Sequence, residues 1–144
     1  MPEFHLMKQN FTPSFNNWKE LYWADYDQTT HYTYILDNIK DHERALLQYG
    51  LEKITEVDGM ELRGQADEMA GILSFTMKAA HPHDIGTIVD QDGIAIRTGH
   101  HCAQPIMDFM DVPATARASF GLYNNFEDID RLVAGLHKVN RIFS

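Results

Sequence analysis

The chain has 144 residues and a formal net charge of −9, which suits one modest domain and argues against a general nucleic-acid or anionic-membrane surface. No apolar run approaches the roughly 20 residues of a membrane helix, and the opening MPEFHLMKQN lacks the apolar stretch of a secretory signal. One cysteine cannot close an internal disulfide, so the expected compartment is a reducing cytoplasm.

Residues 1–36 are polar and rich in aromatics, among them Phe11, Phe15, Trp18, Trp23 and Tyr26. NNWKELYW is readable as a short helix capped by Asn16 or Asn17, with Trp18, Leu21 and Tyr22 on one face. Such a set of aromatics seeks a surface, and packing on the chain's own core is the expected use. The signals sharpen from residue 37. Residues 37–59 predict a helix with Ile39, His42, Leu46, Tyr49, Lys53, Ile54 and Val57 near one stripe, ended by Asp58-Gly59. MELRG and AGILSFTMK predict strands. Pro82 opens a short helix with Ile85, Ile88 and Val89 on one face. GIAIRTG predicts a strand, IMDFMD a helical turn or more, and TARASFGLY another strand. Residues 124–143 form the clearest helix, capped by Asn124 or Asn125. Glu127, Asp128 and Asp130 sit at the positive end of its dipole, and Lys138 and Arg141 at the negative end. Ile129, Leu132, Val133, Leu136, Val139 and Phe143 line its apolar face. Short strands mixed with helices predict a two-layer α/β (α+β) domain over residues 37–144, a small mainly antiparallel sheet covered by helices.

The chemistry concentrates in RTGHHCAQP, which holds the only cysteine. The thiolate is the reactive form of cysteine, and nearby cations or proton acceptors govern its share. His100 and His101 can supply either, and Arg97 adds a fixed charge if the loop folds back. Gly99 permits a backbone shape closed to other residues, and Pro105 ends the loop or starts the next helix. An exposed nucleophilic thiol is one reading. A buried, inert cysteine is the commonest state of a lone Cys, although two imidazoles beside it need partners to be buried. A metal site built from His81, His83, His100, His101 and Cys102 is a third reading. It lacks paired-ligand zinc spacing, and adjacent residues seldom all reach one tetrahedral ion.

The run from His81 to Val139, and above all RTGHHCAQP together with VPATARASFGLYN, closely resembles the C-terminal end of SUF-type cysteine desulfurases. These are pyridoxal-phosphate enzymes of the class V aminotransferase group. HERALLQYGLEKITEVDGMEL is similar to the helix and strand that open that family's small domain, so the resemblance runs from Asp37 to the end. It implies the small-domain fold of fold-type I pyridoxal-phosphate enzymes. It also implies sulfur removal from L-cysteine, giving alanine and an enzyme persulfide for iron–sulfur cluster assembly through a SUF acceptor protein. Carried over to this sequence, Cys102 would be the nucleophile and persulfide carrier. Arg117 would hold the substrate carboxylate, a bidentate task that suits a planar guanidinium. Arg97 would lie at the edge of the site, and Gly99, His100 and His101 would support the loop. The plain alternatives are a surface ion pair for Arg117 and solvated loop positions for the histidines.

The large domain of that family is missing here. It carries the Schiff-base lysine in a Ser-x-His-Lys type motif, the aspartate that pairs with the pyridinium nitrogen, and the histidine that stacks on the ring. None of those motifs occurs, and none of Lys8, Lys19, Lys40, Lys53, Lys78 and Lys138 lies in a matching context. The expectation is a chain with no cofactor-binding residues of its own, inactive alone. LYWADYDQTT faintly echoes the family's opening, as if both chain ends were kept and the middle lost. Three roles follow: a desulfurase component working with a lysine-bearing chain or as a homodimer; a persulfide carrier or regulatory module; or a remnant without a reaction.

Overall fold

The computed structural model describes residues 28–144, with side chains from residue 36 onward. The chain divides into residues 1–36 and Asp37–Ser144, and the fold described is that of the second unit. The aromatic segment and the proposed NNWKELYW helix lie outside the described residues.

Alternation of apolar and polar residues builds the sheet. In β2 (Ile72–Met77), Leu73, Phe75 and Met77 are buried while Ser74 and Thr76 are only half-buried. That period of two marks a strand with one face on a core. β1 (Met60–Arg63), β2, β3 (Arg97–Gly99) and β4 (Thr115–Ser119) form one antiparallel sheet in the order β1-β2-β4-β3. Three helices cover one face: α1 (Gln28–Ile54), α2 (Pro82–Asp90) and α4 (Phe126–Phe143). The short α3 (Gln104–Phe109) links β3 to β4. The core joins Leu47 and Ile54 of α1, Ile85 and Val89 of α2, and Leu132, Leu136 and Val139 of α4 to Leu73, Phe75, Ala116 and Ala118 of the sheet.

The two-layer α/β expectation holds, with differences at the element ends. α1 begins at Gln28, nine positions before the predicted start at residue 37 (37 minus 28). No Gly or Pro interrupts residues 28–49, so nothing stops the helix there. It ends at Ile54 and not at Asp58; Val57 N–H bonds to Ile54 C=O at 3.2 Å as the chain turns. Of the predicted stripe, Leu46, Ile54 and Val57 are buried. Tyr49 is half-buried, and its hydroxyl donates to Asp130 at 2.7 Å.

β3 is shorter than GIAIRTG. Ile94 N–H bonds back to Val89 C=O at 3.1 Å, and Gly93 takes φ 74, so the closing turn of α2 absorbs the residues that would have continued the ladder. β4 stops at Ser119, and residues 121–124 turn, with Gly121 N–H donating to the Asn124 side chain at 2.9 Å. A cleft of about 270 Å³ opens between residues 94–96 and Ala118–Phe120, and no residue of the cysteine loop lines it. Asn125, one of the two expected caps, starts α4 through a capping box: its side chain accepts from Asp128 N–H at 3.1 Å, and Asp128 accepts from Asn125 N–H at 3.2 Å. Val139 is the last buried residue of α4; Phe143, expected on the apolar face, is 45% exposed because the final turn runs past the core.

One close approach sets where β3 lies. A Cβ on Gly86 would stand 2.8 Å from Thr98 Cγ2, so α2 packs directly on β3 and an added methyl would force the Thr98 side chain or the helix to shift. That contact holds the strand from which the cysteine loop departs.

Candidate functional site

The site stands on the sheet face turned away from the helices. Cross-strand register pairs Arg63 with Ser74, Ser74 with Arg117, and Arg117 with Arg97. The four residues therefore form one row across the sheet, with side chains on one face. Like charges directly opposite each other weaken a ladder, so the Arg97–Arg117 pair is a feature that an anion would complement. Arg63 is neutralised locally: it pairs with Glu61 and donates to Thr76 Oγ1 at 3.1 Å. Arg117 is different, because its Nε–H is buried and has no hydrogen-bond partner. A buried donor left unmade is costly, and a bound carboxylate would satisfy it.

Past Arg97 the backbone turns sharply. Gly99 has φ 120, and His101 and Cys102 have φ 55 and 60, in the left-handed region. For residues with a Cβ that region costs roughly 1–2 kcal/mol each. The turn points Cys102 outward; the side chain is exposed, and its Sγ lies 3.8 Å from Arg97 Nη2. Arg97 thus puts a fixed positive charge beside an exposed sulfur, an arrangement open to an incoming electrophile. A buried, inert cysteine does not describe this residue.

His101 faces inward. Its Nε2 lies 3.1 Å from the Thr115 carbonyl and 2.9 Å from Thr115 Oγ1. A carbonyl only accepts, so Nε2 carries the proton and Nδ1 is a bare acceptor, buried without a partner. Burial pushes the His101 titration below its usual range; the charges of Arg117, Arg97 and His100 push the same way, against the Thr115 bond. The ring is therefore neutral at pH 7. His100 is exposed, and its carbonyl accepts from Ala103 N–H at 2.9 Å to close the turn.

The fold brings together Cys102, Arg97, Arg117, Gly99 and His101, all expected from the sequence. Thr115 was not foreseen, although the alternation in TARAS puts it on the same strand face as Arg117. Among the described residues, no group of three His, Cys, Asp or Glu side chains could hold a metal ion, and no helix is long and apolar enough to cross a membrane.

The described lysines do not fit a pyridoxal-phosphate site beside this thiol. Lys53, in the last turn of α1, pairs with Glu56 just past the helix, and Lys138 pairs with Asp92. Lys78 is exposed and follows β2, four residues from Ser74 and so roughly 13 Å along the strand. Lys40 is exposed on α1. None stands in the arginine row.

The sequence model of the class-V aminotransferases matches residues 30–132. Over 108 residues the chain is 52% identical to a probable cysteine desulfurase of Halalkalibacterium halodurans, covering 75% of this chain and 26% of that relative. The apo cysteine desulfurase of Thermococcus onnurineus NA1 is similar in structure with a TM-score of 0.70 and 31% identity, over 74% of this chain and 27% of that one. A cysteine desulfurase of Escherichia coli, crystallised in an S-sulfonic acid form, gives 0.67 and 28%, over 73% and 26%. The chain spans about a quarter of the length of the relatives it matches. Pyridoxal phosphate is the cofactor of that family. A match over residues 30–132, and a helix-backed antiparallel sheet like that of two solved cysteine desulfurases, lead to one conclusion: the chain belongs to the class-V aminotransferase family.

Proposed function

We propose that this chain is the thiol-bearing small domain of a cysteine desulfurase. One observation carries the reading: an exposed thiol in contact with Arg97, which stands opposite an Arg117 whose buried Nε–H lacks a partner. Arg117 takes the carboxylate of L-cysteine, and Arg97 stands at the edge of that site beside the thiol. Gly99, His100 and His101 shape the loop. Sulfur passes from L-cysteine to Cys102: the new S–S bond forms as the substrate Cβ–S bond breaks, and Cβ keeps the electron pair and takes a proton to become the methyl of L-alanine, so a Cys102 persulfide forms with no outside oxidant. The persulfide goes on to a SUF acceptor protein for iron–sulfur cluster assembly, in a reducing cytoplasm.

The described lysines do not fit the cofactor, so no step is assigned to it on this chain. Turnover requires a lysine-bearing chain. Purified protein supplied with L-cysteine, pyridoxal phosphate and a reductant is expected to release no alanine. Adding a chain that carries the cofactor lysine restores release, and Cys102→Ala abolishes it again. Release from the chain alone would overturn the partner requirement. A mixture that stays silent would overturn the desulfurase reading.

A second reading draws on the same exposure of Cys102. The thiol–arginine pair is complete without a lysine, which suits a carrier that accepts persulfide from a full desulfurase. Intact mass distinguishes it: one added sulfur on Cys102 after incubation with a full desulfurase and L-cysteine, and none on Cys102→Ala.

A further inference from the structure

The turn that presents the thiol is strained, and only one of its side chains is anchored inward. His101 and Cys102 both sit in the left-handed region, where a β-carbon is disfavoured. Such a turn persists only when its surroundings hold it. The Cys102 side chain reaches out to the exposed Arg97, which gives no purchase on the core. The His101 ring reaches in, to both the carbonyl and the hydroxyl of Thr115. Thr115 is 1% exposed and is the buried polar residue among the described residues. It lies opposite Gly99 in the β3–β4 ladder, where the strand gives way to the turn.

We infer that Thr115 is a positioning residue for the thiol: through His101 Nε2 it latches the left-handed turn and so keeps Cys102 against Arg97. The inference rests on the desulfurase reading only for the purpose of the thiol, since the latch itself is a matter of geometry. The Thr115 carbonyl fixes the ring as the Nε2–H tautomer, and the hydroxyl at 2.9 Å adds a second partner on the same nitrogen. The groups that act on the ring from the neighbouring elements are Arg117 on β4 and Arg97 and His100 on the β3 side. All three disfavour a charged imidazolium, so the latch operates as a neutral ring. Without the hydroxyl only the carbonyl contact remains, too little to hold the strained turn. The turn then relaxes toward ordinary backbone angles, and the sulfur leaves the guanidinium.

The test reads the thiol directly and needs no desulfurase activity. Iodoacetamide alkylation of Cys102 is followed from pH 5 to pH 10 in the full chain and in Thr115→Val, which keeps shape and carbonyl but removes the hydroxyl. Losing one hydrogen bond of about 1 kcal/mol changes an equilibrium roughly fivefold. The expected result is a severalfold change in alkylation rate at neutral pH, with Thr115→Ser restoring the rate. A merely structural Thr115 would lower the melting temperature and leave the rate in place, which would overturn the inference. A double-mutant cycle decides the route: in a His101→Ala background, Thr115→Val is expected to have no further effect on alkylation. An equal effect with and without His101 would also overturn it. Where Thr115→Val does not fold, Thr115→Ser against Thr115→Ala is the comparison, and the nitrogen shifts of His101 in the full chain test the Nε2–H tautomer. An Nδ1–H ring would overturn the latch. Alanine release, measured separately, tests the desulfurase reading, so the two ideas fail independently.

Discussion

The two faces of one four-stranded sheet follow opposite rules. Toward the helices, Leu73, Phe75, Ala116 and Ala118 are buried and packed against three helices. Away from the helices, the sheet presents Ser74 of β2, Arg117 of β4 and Arg97 of β3 in a row, and Arg117 keeps a buried donor without a partner. The first face is stabilised by what it touches. The second carries a pair of like charges and a buried donor without a partner. Side chains one residue apart on a strand thus serve stability and chemistry separately.

Substitutions can sharpen or break that contrast. Phe75→Ala, at a fully buried position of the covered face, is expected to cost about 3–5 kcal/mol in urea unfolding. A loss below about 1 kcal/mol would mean that this face is not the core. Gly86→Ala places a methyl against Thr98 Cγ2 and is expected to cost about 1–3 kcal/mol by the same measurement. Because α2 supports β3, it should also alter the alkylation rate of Cys102. Asn125→Ala removes the α4 cap and is expected to cost about 1 kcal/mol.

On the open face the sign differs. Arg117→Leu removes an unpaired buried donor and a like-charge neighbour, so stability is expected to stay level or rise by up to about 1 kcal/mol. Supplemented alanine release is expected to be lost in the same variant. A destabilised Arg117→Leu would show that the guanidinium belongs to the scaffold.

The smallest effect is that of His101. Its folded titration is lowered by burial, so its contribution to stability is complete above its unfolded value near 6.5 and is lost as pH falls through the lower, folded value. Between those values the unfolded chain binds more protons, so stability rises with pH. Urea midpoints from pH 7 down to pH 5 should fall less steeply in His101→Gln than in the unaltered chain.

Legibility followed the same division. The covered face was readable because burial on one side of a strand imposes a period of two, seen in ILSFTM and in the alanines of TARAS. The cap and apolar stripe of α4 were readable because helix ends and faces obey local rules. The ends of β3 and β4 were not. Ile94 pairs with the end of α2, and Phe120 N–H bonds to Gly71 C=O, partners that no local pattern names. The cysteine loop was legible as chemistry and in its resemblance to a family, but its left-handed turn and the inward-facing His101 were not.

By itself the sequence determined the element types, the apolar faces and the candidate site side chains, because propensity, periodicity and residue chemistry act over a few neighbours. Only the tertiary structure decided that Arg97 stands opposite Arg117, that Cys102 turns outward to Arg97, and that Thr115 holds His101. Each of those depends on strand register and on hydrogen bonds between residues far apart in the chain, which close only when the sheet has formed.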